Sequence, residues 1–332
     1  MTIPPLRRYT RVFLDARTCL TAAGDARATL EVVVKGQSAL TQHPSLGWQG
    51  VLPTAGTVAD LLVEVGQGLA QHLHSPQPIF AVATSKGETE CWRAQNLDPE
   101  AIRCSSPGML AGVIAQRLGI GLHIPVVPAA ACATSLHALI ESADLLEHGL
   151  SDQALIVTAD RSLQPLLLAS YKTLGVISRG RPTAFLPESD GFAPGEAGAA
   201  MILSSTPKPW RLSGSILVSD GSHPTRCDDP AALFALLQGL WEILPEPDCI
   251  IAHATGTKVG DQYELGGLDA GPWRSAPRLV MKPIIGHTLG ASGLVELIPA
   301  LEGPYRRIWK LSLGFGGHIA GICAQKTPNL AP

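Results

Sequence analysis

The chain has 332 residues, a net charge of −3, and 45% hydrophobic against 16% charged residues. This composition excludes a disordered chain and supplies enough apolar side chains to fill one large or two medium domains. The slightly negative charge argues against a nucleic-acid partner, because no strongly basic surface would attract phosphates.

Three further features of the sequence bear on where the protein resides. No uninterrupted apolar run approaches the roughly 20 residues that a membrane helix needs. Residues 1–11 include basic side chains but no apolar core, so we predict no signal peptide. The seven cysteines are scattered and contain no Cys-x-x-Cys pair, which disfavours disulfides and zinc. Together these features predict a cytoplasmic protein.

Strand-like apolar runs alternate with helical stretches along most of the chain. The predicted strands are 79–83, 123–128, 154–158, 199–203, 216–218, 249–252, 278–281 and a final pair around 311–325. The predicted helices are 109–118, a helix that follows residue 132 and closes at 149, 231–244 and 292–301. This alternation predicts an α/β fold with a mainly parallel sheet covered by helices. A break near residues 204–210 separates two similar halves, which we place at 1–205 and 206–332.

Cys132 is the candidate nucleophile of the first half. It lies between a predicted strand and a predicted helix, in the run Ala-Ala-Ala-Cys-Ala-Thr-Ser-Leu. A thiol at a helix N-terminus faces unpaired backbone N–H groups and the positive end of the helix dipole. Both favour the thiolate, which is the form that acyl transfer needs.

The second half carries three glycine-containing motifs. His253 begins the motif HATGTKVGDQYE directly after a predicted strand, where open α/β sheets place their ligands. Lys282 and His287 belong to MKPIIGHTLGASG, which also follows a strand and precedes a helix. Phe315 lies in LGFGGH, where a free backbone N–H could complete an oxyanion hole. The site must therefore form between the two halves.

In chain order these motifs resemble those of β-ketoacyl synthases of the Cys-His-His type, and the chain resembles a shortened, divergent member. The shared patterns are the alanine–cysteine run, H-[GA]-T-G-T-x-x-G-D-x-x-E, K-x-x-x-G-H and G-F-G-G. Weaker similarity covers residues 190–196 and a first helix at 20–39. The resemblance implies a thiolase-like fold in which two βαβ-type halves form a layered α/β/α/β/α architecture.

The resemblance also implies roles for the residues of both halves. Cys132 would take an acyl group from an acyl carrier protein or coenzyme A thioester. His253 and His287 would hydrogen-bond a malonyl thioester and assist its decarboxylation, and the resulting carbanion would attack the acyl-cysteine in a Claisen condensation. Lys282 would support the histidines electrostatically, with Glu264 behind it.

The remaining expectations concern the oxyanion hole, cofactors and partners. The amides of Cys132 and Phe315 would form the oxyanion hole, and the Phe315 ring would gate the pocket. We predict no nucleotide, other cofactor or metal site, since the histidine spacing fits no ligand set. The resemblance implies an obligate dimer, either a homodimer or a heterodimer with another ketosynthase, formed through the strand that ends the first half. The pathway would be fatty acid, polyketide or aryl polyene biosynthesis.

Two other functions remain open from the sequence. One is a non-condensing partner subunit like a chain-length factor, although such partners generally lose the nucleophile and this chain keeps Cys132. The other is a thiolase-fold acyltransferase or thioester hydrolase, although the retained His253, His287 and Lys282 favour decarboxylative condensation.

Overall fold

The computed structural model describes residues 5–91 and 99–328. The strands are β1 (Arg7–Arg8), β2 (Phe13–Leu20), β3 (Thr41–His43), β4 (Gly47–Gln49), β5 (Ile79–Ala83), β6 (Ile124–Val126), β7 (Gln153–Arg161), β8 (Glu196–Ser204), β9 (Trp210–Ser219), β10 (Cys249–Ile251), β11 (Arg278–Leu279), β12 (Arg307–Gly314) and β13 (His318–Lys326). The helices are α1 (Ala26–Val34), α2 (Val58–Ala70), α3 (Pro99–Cys104), α4 (Pro107–Arg117), α5 (Thr134–Glu147), α6 (Pro165–Thr173), α7 (Pro230–Ile243), α8 (Lys258–Leu268), α9 (Lys282–Ile285) and α10 (Ser292–Leu301). None of these helices is long and apolar enough to cross a bilayer.

Ten of the strands form two sheets with the same internal order, while β3 and β4 pair only with each other and β1 pairs with β9. The hydrogen-bonded sequence of strands is β11-β10-β12-β13-β9-β2-β8-β7-β5-β6. Strands β2 and β9 pair at only two positions, so this path consists of two five-stranded sheets joined at one corner. When the five strands of each half are numbered along the chain, both sheets have the order 3-2-4-5-1. The predicted boundary at 205/206 lies in the connection between β8 and β9.

The prediction of a mainly parallel sheet is wrong. Within the large sheet of the described residues, four strand pairings are parallel. Six are antiparallel, among them β7 with β8 and β12 with β13. Apolar alternation reveals that a segment is a strand, but strand direction depends on which neighbour it pairs with. In each five-stranded sheet, the neighbouring strands numbered 3, 2 and 4 run parallel to one another. The pairings of strand 4 with strand 5 and of strand 5 with strand 1 are antiparallel.

The prediction that a dimer forms through the strand that ends the first half is also wrong. Strand β8, which ends the first half, pairs with β7 along one edge and with β2 along the other. A strand bonded on both sides has no free N–H and C=O row to offer a partner. The outermost strand of the first sheet is instead β6, which pairs with β5 alone.

Helices and sheets alternate in five layers, which confirms the predicted architecture. Helices α5 and α10 lie between the two sheets, and their apolar faces form one core with the inner faces of both. Helices α2 and α4 cover the outer face of the first sheet, and α7 covers that of the second. Strand β5 shows the period of two, because Ile79 and Ala81 face the middle layer while Phe80 and Val82 face outward.

Candidate active site

The nucleophile turn precedes α5 in the middle layer. Cys132 is the central residue of a single 3₁₀ turn, Ala131–Ala133, and Ala131 has a left-handed φ of 49°. Thr134 secures this conformation, because its hydroxyl accepts from the Ala130 amide at 3.1 Å and donates to the Ala131 carbonyl at 2.7 Å. The first N–H groups of a helical turn have no acceptor within that turn. The Cys132 amide therefore points out of the turn.

The end of β12 lies directly against this turn. Gly314 closes the strand, and a Cβ added there would lie 2.4 Å from the Ala130 carbonyl oxygen. Only glycine allows so close an approach of two backbones. The approach places Phe315 beside Cys132, and both residues line the same cavity. Phe315 is 37% exposed, and its role as a gate stays a prediction.

The second half contains a matching turn at the equivalent place, before α10. It spans Leu289–Ala291, and Leu289 has a φ of 47°, close to that of Ala131. Gly290 takes the position that Cys132 occupies in the first turn, and a Cβ there would lie 3.1 Å from the Ala131 carbonyl oxygen. The two turns therefore pack against each other, which brings the histidine segments of the second half to the cysteine of the first.

His253 is held through its backbone. It follows β10, and its N–H donates to Glu264 Oε1 at 2.6 Å. The N–H of Ala254, which has a φ of 44°, donates to Glu264 Oε2 at 2.7 Å. One buried carboxylate thus stabilises the left-handed turn that points the imidazole into the cavity. The His253 Nδ1 atom is buried and has no hydrogen-bond partner among the described residues.

His287 lies opposite, between α9 and the Leu289–Ala291 turn. Its Nδ1 is 3.2 Å from Ser292 Oγ, and the Phe192 ring meets its face edge-on with ring centroids 4.9 Å apart. The two imidazoles are also edge-on, with centroids 5.7 Å apart. The two imidazoles are therefore close neighbours in one site.

Lys282 lies behind His253 in a buried network. Its ammonium donates to the His253 carbonyl at 2.6 Å and to Glu296 Oε1 at 2.7 Å. Glu296 Oε2 accepts from Lys310 at 2.5 Å. Sequence reasoning missed Glu296 and Lys310, although each is the one charged residue in an otherwise apolar stretch, of α10 and of the centre of β12.

The environment of the histidines makes both imidazoles neutral. Burial holds the pKa of His253 and of His287 well below the usual range, and the nearby charges of Lys282 and Lys310 lower both further. A neutral imidazole carries one N–H donor and one acceptor nitrogen, so each ring can donate to a developing oxyanion.

The expectation of a resting thiolate at Cys132 is wrong. Burial raises the pKa of the Cys132 thiol to about 12, and the opposing charges of Lys282 and Lys86 do not offset it. Desolvation disfavours the charged form, and here it outweighs the helix N-terminus that the sequence pointed to. This raised pKa keeps the resting Cys132 side chain in its thiol form at neutral pH.

This protonation state predicts slow alkylation of Cys132. We expect its reaction with iodoacetamide to be minor at pH 7 and to rise about tenfold per pH unit up to about pH 10, because only the thiolate reacts. Peptide mass spectrometry resolves Cys132 from the other cysteines. A rate that levels off near neutral pH would show a low pKa and contradict this assignment.

A cavity of about 730 Å³ joins these groups. Cys132, His253, His287 and Phe315 line it, whereas Lys282 and Glu264 are buried behind its wall. Tyr171 and Phe192 form an apolar wall beside the cysteine. Among the described residues, no three His, Cys, Asp or Glu side chains are arranged to hold a metal ion. The arrangement suits a covalent acyl intermediate beside a pair of neutral donors.

The fold and this site define a thiolase-like α/β protein, and sequence comparison narrows the class. Family models match the chain twice, as "Beta-ketoacyl synthase, N-terminal domain" over residues 59–208 and as "Beta-ketoacyl synthase, C-terminal domain" over residues 242–308. The chain belongs to the β-ketoacyl synthase family, as its motifs indicated. Members of this family are acyl-transferring enzymes that form carbon–carbon bonds.

Individual relatives are distant. The chain is 26% identical over 319 residues to 3-oxoacyl-(acyl-carrier-protein) synthase 2 of Mycobacterium leprae (strain TN), which covers 79% of this chain and 73% of that protein. It is 29% identical over 223 residues to compactin diketide synthase mlcB of Penicillium citrinum, covering 61% of this chain but only 9% of that protein. The solved ishigamide ketosynthase/chain length factor has a TM-score of 0.82 at 18% identity, covering 97% of this chain and 100% of that chain, and shows the same fold.

Proposed function

We propose that this chain is a condensing β-ketoacyl synthase that joins an acyl thioester to a malonyl thioester through an acyl-Cys132 intermediate. The observation that supports this most strongly is the pair of neutral imidazoles, His253 and His287, that share one cavity with Cys132. Decarboxylation would use both neutral rings as hydrogen-bond donors to one enolate oxygen.

In the first step, Cys132 Sγ attacks the carbonyl carbon of the acyl thioester. The new S–C bond forms as the donor's S–C bond breaks, and the departing thiol takes the proton that Cys132 loses. The tetrahedral oxygen would be held by the amides of Cys132 and Phe315, which the contact of Gly314 with the nucleophile turn brings together.

In the second step, the malonyl thioester loses carbon dioxide. The C–C bond to its carboxylate breaks, and the electron pair passes to the thioester as an enolate whose oxygen accepts hydrogen bonds from His253 and His287. The enolate carbon then attacks the acyl-cysteine, a C–C bond forms, and the S–C bond breaks to return the Cys132 thiolate, which takes a proton from solvent water. The buried charge of Lys282 supports the oxyanion electrostatically.

The donor thioesters would be carried by an acyl carrier protein. Four exposed cationic residues line the cavity, at positions 86, 179, 226 and 258. Such a cationic entrance attracts the phosphate of a phosphopantetheine arm and an acidic carrier surface. Coenzyme A thioesters carry the same phosphopantetheine group and are the alternative donors. The exposed edge of β6 would pair with another ketosynthase chain, either a second copy or a related partner.

Intact-mass analysis of carrier-bound products tests the proposal. Purified protein is incubated with a panel of acyl carrier proteins and a malonyl carrier protein. We expect one carrier-bound β-keto product, two carbons longer than the acyl group supplied. Acylated protein without an extended product would favour an acyltransferase, and water as acceptor would mark a hydrolase. No acylation with any member of the panel would favour a non-condensing partner subunit.

A further inference from the structure

Lys310 is a buried cation that the proposed chemistry does not use directly. It lies on β12, where Ile308 faces the middle layer and Trp309 faces outward, so the alternation turns Lys310 into the middle core. The residue is 0% exposed. An ammonium in such a place is costly unless it is paired and fully hydrogen-bonded. Its donors go to Glu296 Oε2 at 2.5 Å and to the Leu311 carbonyl at 2.8 Å.

A chain of contacts leads from Lys310 to His253. Glu296 uses one carboxylate oxygen for Lys310 and the other for Lys282. Lys282 donates in turn to the His253 carbonyl. On the other side, Glu264 accepts the His253 N–H. The peptide groups on both sides of the His253 Cα are thus held by side chains of this one network.

The charges of the groups that hold the His253 backbone, together with Lys310 and Glu296, balance. Asp261, the other buried carboxylate of α8, accepts instead from the amides of Phe185 and Gly256 and lies outside this set. Two lysines, Lys282 and Lys310, offset two carboxylates, Glu264 and Glu296, and each of these residues is at most 2% exposed. Without Lys310, the set would carry one uncompensated negative charge in a region of low dielectric. Glu296 would then have one cationic partner instead of two, and that partner, Lys282, would be drawn away from the His253 carbonyl.

We propose that Lys310 is a positioning residue for His253: it satisfies the second oxygen of Glu296, so that Lys282 remains on the His253 carbonyl and the buried set stays neutral. The activity readout of this inference rests on the proposed condensing function. Its geometry does not, since every contact lies within the chain.

The charge balance of these residues also affects the pKa of the imidazoles. The charged and titratable groups around them are Lys282 on α9, Lys310 on β12, Glu264 and Asp261 on α8, Glu296 on α10, Cys132 in the nucleophile turn, and each imidazole for the other. Burial is the first cause of the low pKa of His253, and the charges of Lys282 and Lys310 add to it. Removing Lys310 takes away one positive charge, so the imidazolium form is disfavoured less and the pKa rises.

Charge-paired variants test the proposal. In Lys310→Met we expect the His253 pKa, followed by NMR titration of labelled histidine, to rise by about one unit. The acid limb of the pH profile of carbon dioxide release from a malonyl carrier protein should move up equally, and kcat should fall about tenfold at constant KM.

In Glu296→Gln, which removes a negative charge, the His253 pKa should move down. In Glu296→Gln combined with Lys310→Met, which restores neutrality, it should return toward the wild-type value. Lys35→Met, which removes an exposed ion pair with Glu31, is the matched control and should change neither quantity.

Two results would overturn the proposal: a wild-type His253 titration in Lys310→Met, or a double variant no closer to wild type than that single variant. If Lys310→Met does not fold, the opposite shift in Glu296→Gln and the recovery in the double variant decide the matter. Wild-type protein that releases no carbon dioxide would refute the proposed function, while the NMR titration would still test the role of Lys310.

Discussion

Replacement of Cys132 by alanine is expected to abolish acyl-enzyme formation and condensation completely, while decarboxylation of the malonyl thioester persists. The acyl group needs the sulfur as its covalent attachment. His253 and His287, which we propose stabilise the enolate, belong to the other half of the chain and do not depend on that sulfur for their position. Removing the sulfur also leaves the nucleophile turn intact, since Thr134 and Gly314 hold it.

Intact mass of the protein after incubation with an acyl carrier protein gives the first readout, and carbon dioxide release from a malonyl carrier protein gives the second. Cys19→Ala is the matched control, because Cys19 is a buried thiol on β2 outside the residues that line the cavity. It should acylate normally and lose only about 1 kcal/mol of stability. A Cys132→Ala protein that still condenses would refute the covalent mechanism.

Replacement of His287 by alanine is expected to lower the rate of decarboxylation by about 10²–10³, while Cys132 is still acylated. The loss follows from removing one of two donors to the developing enolate oxygen, which typically costs about 3–4 kcal/mol of transition-state stabilisation. In the proposed mechanism, acylation would use the backbone amides of Cys132 and Phe315 instead, so the two half-reactions should separate. The expected loss applies to a neutral His287 ring. Burial and the charges of Lys282 and Lys310 keep the ring neutral, because they hold its pKa low.

Single-turnover assays distinguish the two half-reactions. Acyl transfer to the protein is followed by mass, and carbon dioxide release is followed separately with the malonyl donor. His72→Ala serves as the control, because His72 is an exposed histidine outside the cavity lining. Equal losses in acylation and decarboxylation would show that His287 holds the nucleophile turn in place rather than stabilising the enolate.

Much of the secondary structure was predictable because its signals are local. The strand at 79–83 and the helix at 292–301 were predicted with the bounds that the structure has. Helix α2 was missed even though Thr57 and Asp60 form a capping box at its start. Its two glycines within 66–68 weaken the helical pattern. The predicted first helix at 20–39 is shorter in the structure, and its N-terminal part is taken by β2 and a turn.

The candidate site was predictable to a similar extent. Cys132, His253, His287 and Phe315 were chosen from the sequence, and the structure places all four around one cavity. Their roles in the reaction stay predictions that the variants above test. Lys282 was predicted to support the histidines electrostatically, with Glu264 behind it; the structure has both buried, Lys282 on the His253 carbonyl and Glu264 on the His253 N–H. The prediction that no cofactor or metal takes part also remains to be tested.

The sequence by itself determined the family, the two similar halves and the residues that meet at the cavity, because each motif combines a local turn with glycines that let backbones approach. Only the tertiary structure decided the direction of the strands, the protonation of Cys132 and the network that joins Lys310 to His253. Strand direction depends on pairing between distant segments. The pKa of Cys132 is set by desolvation, which comes from residues packed around it from both halves. Lys310 and Glu296 are adjacent only because β12 and α10 face each other in the middle layer, where a buried charge must find its partner.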